Sequence, residues 1–265
     1  MFEERTPAVV LRSRVHGESD KIVTLLTQHW GKITGIAKGA KRSRRRFVNV
    51  LEPFTHVHLR FRPGRTEELA FIFGCDLIRS FRRPSLDLQR FALASYMAEL
   101  IDVMIAGRES GAETYELLLR SLTVLEEQDR LSSLFLPVFE LLLLTHAGYA
   151  PHLTGCQQCG LSLVVNDKPL TFSSSLGGLL CQNCRAQGGG TLLLSPETLR
   201  LLHGLKIREV DACLRSMASP RVYRETRALV SSWLSRHLSR PLKSQAFLEQ
   251  SSLLGDSQID GSAEE

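Results

Sequence analysis

An α+β chain is predicted, with a small N-terminal β-barrel, a mostly α-helical domain behind it and a four-cysteine unit inserted into the helical run. Three observations carry this. Five short segments rich in β-branched and aromatic residues precede residue 80, helical periodicity takes over at Arg83-Pro84-Ser85, and two Cys-x-x-Cys pairs interrupt the helices. With 265 residues and 43% hydrophobic composition, the chain can bury real cores, which excludes disorder as its main state.

The strand segments are Ala8–Leu11, Ile22–Leu26, Ile33–Ala37, Val57–Phe61 and Leu69–Phe73. His29-Trp30-Gly31-Lys32 suits a hairpin between the second and third, and Arg62-Pro63-Gly64-Arg65 another between the fourth and fifth. Five antiparallel strands in so short a stretch fit a closed barrel of the OB type over residues 1–82, with an SH3-like barrel as the alternative. Ser85 is placed to cap a helix beginning at Leu86, with Asp87 in its first turn. Leu93, Tyr96, Met97, Leu100 and Met104 make one apolar stripe, and Tyr115, Leu118, Leu119, Leu122 and Leu125 a second. Leu131 to His146 reads as a helix apolar on most sides; its core, Leu134 to Leu144, is too short to span a bilayer and contains Pro137 and Glu140. Ser195-Pro196 and Ser219-Pro220 each pair an N-cap with a first-turn proline, opening helices over Leu199–Ile207 and Val222–Leu238. The expected organisation is a barrel at 1–82, a helical domain at 83–150 and 191–248, a cysteine insertion at 151–190 and a disordered acidic tail at 249–265.

Charge is unevenly spread. Residues 1–83 hold 17 Lys+Arg against 8 Asp+Glu, whereas the remainder holds 16 against 20, so affinity for a polyanion belongs to the first third. Lys38, Lys41, Arg42, Arg44, Arg45 and Arg46 put six cations into nine residues with no acid among them. The run follows a strand and ends before Phe47-Val48, so it is expected to be a barrel loop facing phosphate oxygens. Arg12, Arg14, Lys21, Lys32, Arg60 and Arg62 alternate with apolar residues on the strands and extend the field; Arg14, Lys21 and Lys32 join the loop as candidate DNA contacts. Trp30, Phe47, Phe54 and Phe61 are the candidate base-stacking platforms, set against a default place in the core, and Phe61 falls in phase with Val57 and Leu59 on the expected inner face. Nothing encodes base readout, so binding without sequence preference is expected.

Cys156, Cys159, Cys181 and Cys184 form two C-x₂-C knuckles 21 residues apart. Met1-Phe2-Glu3-Glu4-Arg5 has acids where a secretory signal needs positive charge, so a cytoplasmic location is expected, where the thiols do not form a disulfide framework. Two knuckles aim four thiolates at one ion and leave no position for water, which predicts one structural zinc per chain. Cys75 and Cys213 stand alone as buried apolar side chains. No phosphate-binding G-x-x-x-x-G-K-[ST], H-E-x-x-H or G-x-S-x-G motif occurs, and His16-Gly17-Glu18 lacks the P-C-x-x-C partner of a deaminase, so no enzymatic activity is expected.

Several short runs together resemble the bacterial recombination mediator RecO family: Glu18-Ser19-Asp20-Lys21, Thr27, Gly31-Lys32, Ala37-Lys38-Gly39 and Leu51-Glu52-Pro53-Phe54. Farther on lie Tyr96-Met97-Ala98-Glu99-Leu100, Phe139-Glu140-Leu141-Leu142 and Gly148-Tyr149-Ala150-Pro151, the last running into the first knuckle, with Phe172-Ser173 and Gly177-Gly178 before the second. The resemblance spans about residues 5–245. It implies an OB barrel, a helical domain and a zinc ribbon in a nucleoid-associated repair protein. It further implies binding to single- and double-stranded DNA, annealing of complementary strands coated by the single-strand binding protein SSB, and action with RecR to help RecA replace SSB. A pocket for the SSB tail is implied near the apolar helices Leu86–Ala106 and Leu131–His146. The rival reading, from the basic barrel alone, is an RNA- or ribosome-associated protein with a zinc ribbon.

Overall fold

A computed structural model of the chain describes residues 3–64, 69–105, 107, 111–164, 168–205, 214 and 218–256, with 252–256 by backbone alone. Strands β1 (Glu4–His16), β2 (Asp20–Thr27), β3 (Gly31–Ala37), β4 (Thr55–Arg62) and β5 (Ala70–Ser80) close a barrel in the order β1-β2-β3-β5-β4. All neighbours are antiparallel except β3 and β5, where Gly35 and Ile36 run parallel to Ala70 and Phe71. The all-antiparallel expectation had to fail at one seam, because strand directions cannot alternate around a ring of odd number. Gly35 is required there: a Cβ would stand 2.8 Å from the Ala70 carbonyl and 2.9 Å from Ile72 Cγ1.

Alternate residues fill the barrel, and in β1 and β2 the outward Val9, Leu11, Ile22 and Leu26 are buried as well. Ala8, Val10, Val23, Leu25, Ile33, Ala37, Val57, Leu59, Phe61 and Ile72 point inward and are buried. The turn between β2 and β3 is closed by Thr27, whose hydroxyl donates to the Gly31 carbonyl at 2.8 Å and accepts from the Trp30 N–H at 2.9 Å. Gly31 takes the left-handed conformation (φ 61°) that the turn needs.

After a short turn of helix, α1 (Arg83–Leu86), come α2 (Leu88–Met104) and α3 (Gly111–Glu127). The cap of α2 is Asp87, whose carboxylate accepts from the Arg90 N–H at 2.8 Å; Ser85, the expected cap, instead donates to the Phe81 carbonyl. Pro84 explains the shift, since it starts the separate turn α1 and displaces the main helix by one cap. Arg90 is buried and donates to the carbonyls of Leu125 and Gln128, so a cation satisfies the orphan carbonyls at the end of α3.

The remaining elements are α4 (Phe135–His146), β6 (Leu170–Ser173), β7 (Gly178–Leu180), β8 (Thr191–Leu194), α5 (Pro196–Gly204), α6 (Pro220–His237) and α7 (Lys243–Asp256). Ser195 and Ser219 cap α5 and α6 as the sequence predicts, each accepting from an N–H three residues on. Residues 206–207 of the first predicted helix lie outside the described residues. Helix α7 runs past Glu249, where a disordered tail is expected, and is held by the buried Leu248 and Ser251; residues 257–265 lie outside the described residues.

The chain divides into two compact units, 1–128 with 240–265, and 129–239. Helices α2, α3 and α7 therefore belong with the barrel, whereas α4, α5 and α6 form one unit with the cysteine segment. The change of period at residue 83 marks a change of element type within the first unit.

Candidate nucleic-acid interface and metal centre

The basic run leaves β3 at Ala37 and returns toward the barrel at Phe47. Its root is fastened to the β1–β2 turn: the Asp20 carboxylate accepts from the Gly39 N–H and the Ser19 hydroxyl, each at 2.8 Å, and the Lys41 N–H donates to the Ser19 carbonyl at 2.9 Å. The Gly39 and Ser19 bonds hold the Asp20 carboxyl below its ordinary range, so it stays ionised. At the far end Phe47, Val50 and Leu51 bury into the barrel core, and the Cys75 N–H donates to the Arg46 carbonyl at 3.2 Å. Both ends are thus tied down while the cations between them face solvent.

Lys38, Lys41, Arg42, Arg44, Arg45 and Arg46 are all exposed. Among the described residues none of these six pairs with a carboxylate, which leaves their charge available for an anion. Arg46 folds back, with its guanidinium donating to the Lys38 carbonyl at 3.1 Å and lying 5.2 Å from the Phe47 ring centre.

The strand cations divide. Arg14 is exposed at the end of β1. Lys21 is half-buried and paired with Glu52 at 2.8 Å, clamping β2 to the segment before β4. Lys32 is paired with Asp102 at 3.3 Å and also donates to its carbonyl, while Arg12 reaches the same carboxylate at 3.5 Å. Lys21 and Lys32 therefore fasten the first unit, each facing a carboxylate, with that of Asp102 shared between Lys32 and Arg12. Of the aromatic candidates, Phe47, Phe54 and Phe61 are 5%, 4% and 0% exposed. Trp30 is half-buried, packing edge-to-face on Phe61 at 5.8 Å. Phe47 and Phe61 belong to the barrel core and Trp30 packs against it, whereas Phe54 is buried edge-to-face on Phe91 of α2 at 5.8 Å. Sequence reasoning missed the anchoring roles of Ser19 and Asp20, which lie outside any charge or periodicity pattern.

The second cluster is sulfur. The Sγ atoms of Cys156, Cys159, Cys181 and Cys184 all lie within 4.8 Å of one another, and those of Cys159 and Cys181 are 3.8 Å apart. Four ligands at about 2.3 Å on a tetrahedron around one ion stand about 3.8 Å apart, far beyond a disulfide bond of about 2.05 Å. The first knuckle is shaped by backbone bonds, Cys156 N–H to the Leu161 carbonyl at 2.8 Å and Gly160 N–H to the Cys156 carbonyl at 2.9 Å, with Gly160 left-handed at φ 74°. The second repeats the pattern, the N–H groups of Cys184 and Arg185 both donating to the Cys181 carbonyl at 3.1 Å.

Burial of Cys156 opposes its ionisation, but N–H groups of Cys181, Cys159 and Gln158 outweigh this and hold the thiol down at about 6. Cys184 is pushed up to about 12 by its bond to Cys181 and by burial. The Cys156 thiolate forms readily while those of Cys159 and Cys184 are resisted, as expected of sulfurs gathered where no cation offsets their charge. The donor set fits a closed metal site; a bound divalent ion would supply that missing charge and cross-link the two knuckles.

The family assignment follows from comparison along the whole chain. The model "Recombination protein O N terminal" matches residues 1–81 and "Recombination protein O C terminal" matches residues 85–246. The chain belongs to the recombination protein O family. Proteins named DNA repair protein RecO are similar throughout: that of Symbiobacterium thermophilum is 34% identical over 241 residues, covering 91% of this chain and 94% of the relative. That of Syntrophus aciditrophicus is 35% identical over 254 residues (95% and 97%), and that of a Nocardioides species 36% over 248 (93% and 99%). The chain that carries this five-stranded barrel and four-cysteine cluster is thus a member of a DNA repair protein family. Among the described residues no helix is long and apolar enough to cross a membrane.

Proposed function

We propose that this RecO-family protein is a recombination mediator. It binds single- and double-stranded DNA through the loop Lys38–Arg46, anneals complementary strands coated by SSB and, with RecR, promotes the loading of RecA. The observation that carries this reading is the loop itself: a run of exposed cations, anchored at both ends and, among the described residues, unpaired with carboxylates. Annealing two polyanions requires cations that lower their mutual repulsion while leaving base edges free, which is contact to phosphates. Hydrolysis is not required, and the protein acts as a binding factor in the nucleoid rather than an enzyme. The metal is one structural zinc held by Cys156, Cys159, Cys181 and Cys184; its four sulfur donors leave no position for catalysis.

The test is annealing of complementary DNA strands, each coated with cognate SSB, without nucleotide cofactor. Acceleration over an equally charged unrelated barrel, abolished by excess SSB-tail peptide while bare-strand annealing persists, is the expected result. A polycation neutralises bare strands but has no purchase on coated ones, so equal rates would defeat the mediator reading. Preference for RNA over DNA single strands in direct competition would favour an RNA-binding protein instead.

A further inference from the structure

The outer face of the barrel carries a feature that the loop does not account for. Strand register lines up one residue from each strand in a single row: Arg14 opposite Ile22, Ile22 opposite Ile36, Ile36 beside Phe71, and Phe71 opposite Arg62. The row faces outward, since its sequence neighbours Val23, Ala37, Ile72 and Phe61 fill the core. Outward positions of a barrel are ordinarily polar. Here the middle of the row is apolar, with Ile22 buried and Ile36 and Phe71 half-buried, and its two ends are exposed arginines.

Phe71 is joined by Phe73, two residues on along β5, with ring centres 5.0 Å apart and planes inclined at 62°. Both rings are half-buried, each leaving part of its surface to solvent. The Arg62 guanidinium lies 5.7 Å from the Phe71 ring centre, a cation held beside an aromatic face. Ile36, in the same row, stands two residues before Lys38, where the basic loop begins. Arg62 on β4, the aromatic pair on β5, Ile36 on β3 and the loop therefore form one path, whereas Ile22, next in the row, is buried and separates it from Arg14.

We infer that Phe71 and Phe73 are a base-stacking platform for single-stranded DNA, with Arg62 and the loop Lys38–Arg46 holding the phosphates on either side. The inference rests on the DNA-binding reading above and deepens it by naming where the bases go. Charge complementarity selects a polyanion, and partly exposed aromatic rings select one whose bases are unpaired, because a duplex keeps its base faces stacked internally. Stacking is indifferent to base identity, in keeping with the binding without sequence preference that the sequence leads one to expect.

The test compares the full chain with F71L/F73L, which keeps apolar volume but removes the rings, and F71Y/F73Y, which keeps the rings. Binding is followed by fluorescence anisotropy with a labelled oligothymidine and a labelled duplex. The Leu pair should bind the single strand about 5-fold or more weaker, the loss expected for one stacked base. Its salt slope should be unchanged because no cation is lost. Duplex affinity should hold, and the Tyr pair should match the parent. Independently of any variant's folding, a strand carrying 5-iodouracil should photocrosslink in the parent protein to a peptide containing Phe71 and Phe73. A parent that binds single strands but crosslinks only within 38–46, with the Leu pair binding equally well, overturns the platform and leaves the DNA-binding reading standing. A parent that binds no single strand overturns both.

Discussion

The His56 imidazole on β4 meets the Tyr115 hydroxyl on α3 at 2.6 Å, a buried hydrogen bond between the barrel and the helix that covers it. Burial, then the charges of His58 and Arg79, hold the His56 pKa down to about 4 from 6.5. Burial and then Glu116 push Tyr115 up to about 12. Because the folded value of His56 lies below the unfolded one, its contribution is fully present above pH 6.5 and is lost as pH falls from 6.5 toward 4. The unfolded chain takes up a proton in that window and the folded chain does not. Urea unfolding of a Trp233→Phe variant, in which Trp30 alone reports, should show stability falling by about 3 kcal/mol over this range from His56, on top of the carboxylates' share. His56→Gln should remove that part of the slope. Tyr115→Phe should cost about 1–3 kcal/mol at pH 7 by leaving a buried imidazole nitrogen without its partner. An unaltered pH slope in His56→Gln would show that the pair is not a determinant of stability.

Gly111 opens α3 against the β2–β3 turn. A Cβ there would stand 2.8 Å from the Gly31 nitrogen and 3.3 Å from the Thr27 carbonyl, both backbone atoms that cannot swing aside. Gly111→Ala should therefore destabilise the first unit by about 1–3 kcal/mol, although alanine is the better helix former. Thermal unfolding read at Trp30 checks it. A melting point equal to or above the parent's would mean that the turn yields without cost.

These two contacts mark where sequence reading stops. The five strands, the switch to helix and the two Ser-Pro caps were legible because alternation, period and cap chemistry are local. The parallel β3–β5 seam was not, since residues 35–36 and 70–71 meet only when the barrel closes. Lys21 and Lys32 look on paper like Lys38 and Lys41. Their partners Glu52 and Asp102 are distant in sequence, and only tertiary structure separates a paired cation from a free one. Among the aromatic residues, the phase of Phe61 with Val57 and Leu59 marks the inner face in the sequence, whereas the outward pair Phe71 and Phe73 stands out only once the register is known. The shift of strand register between Arg60 and Phe61 belongs to the β4–β5 pairing and leaves no mark in the sequence. The four cysteines were fully legible, because knuckle spacing is itself the geometry.

The loop cations supply the next prediction. If Lys38–Arg46 neutralises about 4 to 6 phosphates, log affinity for a single strand should fall against log salt with a slope of roughly −3 to −4. Changing Lys41, Arg42, Arg44 and Arg45 together to Ala should flatten the slope and weaken binding to all sequences alike. Lys21→Ala and Lys32→Ala should leave the slope nearly unchanged and lower stability instead, because their ammonium groups already face Glu52 and Asp102. The reverse pattern, with strand lysines controlling the slope, would relocate the interface to the barrel wall.

Metal removal should be read by a tryptophan. Trp233 on α6 donates from Nε1 to the Tyr149 carbonyl at 2.8 Å and lies against Gly177, where a Cβ would come within 2.3 Å of the indole. Gly177 belongs to the turn between β6 and β7, and β7 leads directly into Cys181. Order at the sulfur cluster is thus relayed to the indole through one short strand. Elemental analysis of protein purified without chelator should give one zinc per chain, and Cys181→Ser should lose it. In a Trp30→Phe background, that substitution or chelation should shift Trp233 emission to the red and lower the melting of the 129–239 unit, because binding energy at a closed site of this kind is folding energy. The barrel unit, read at Trp30 in a Trp233→Phe background, should melt as before. Metal-free parent protein with unshifted Trp233 emission would mean that the four thiols hold their arrangement unaided and that the cluster is not a metal centre.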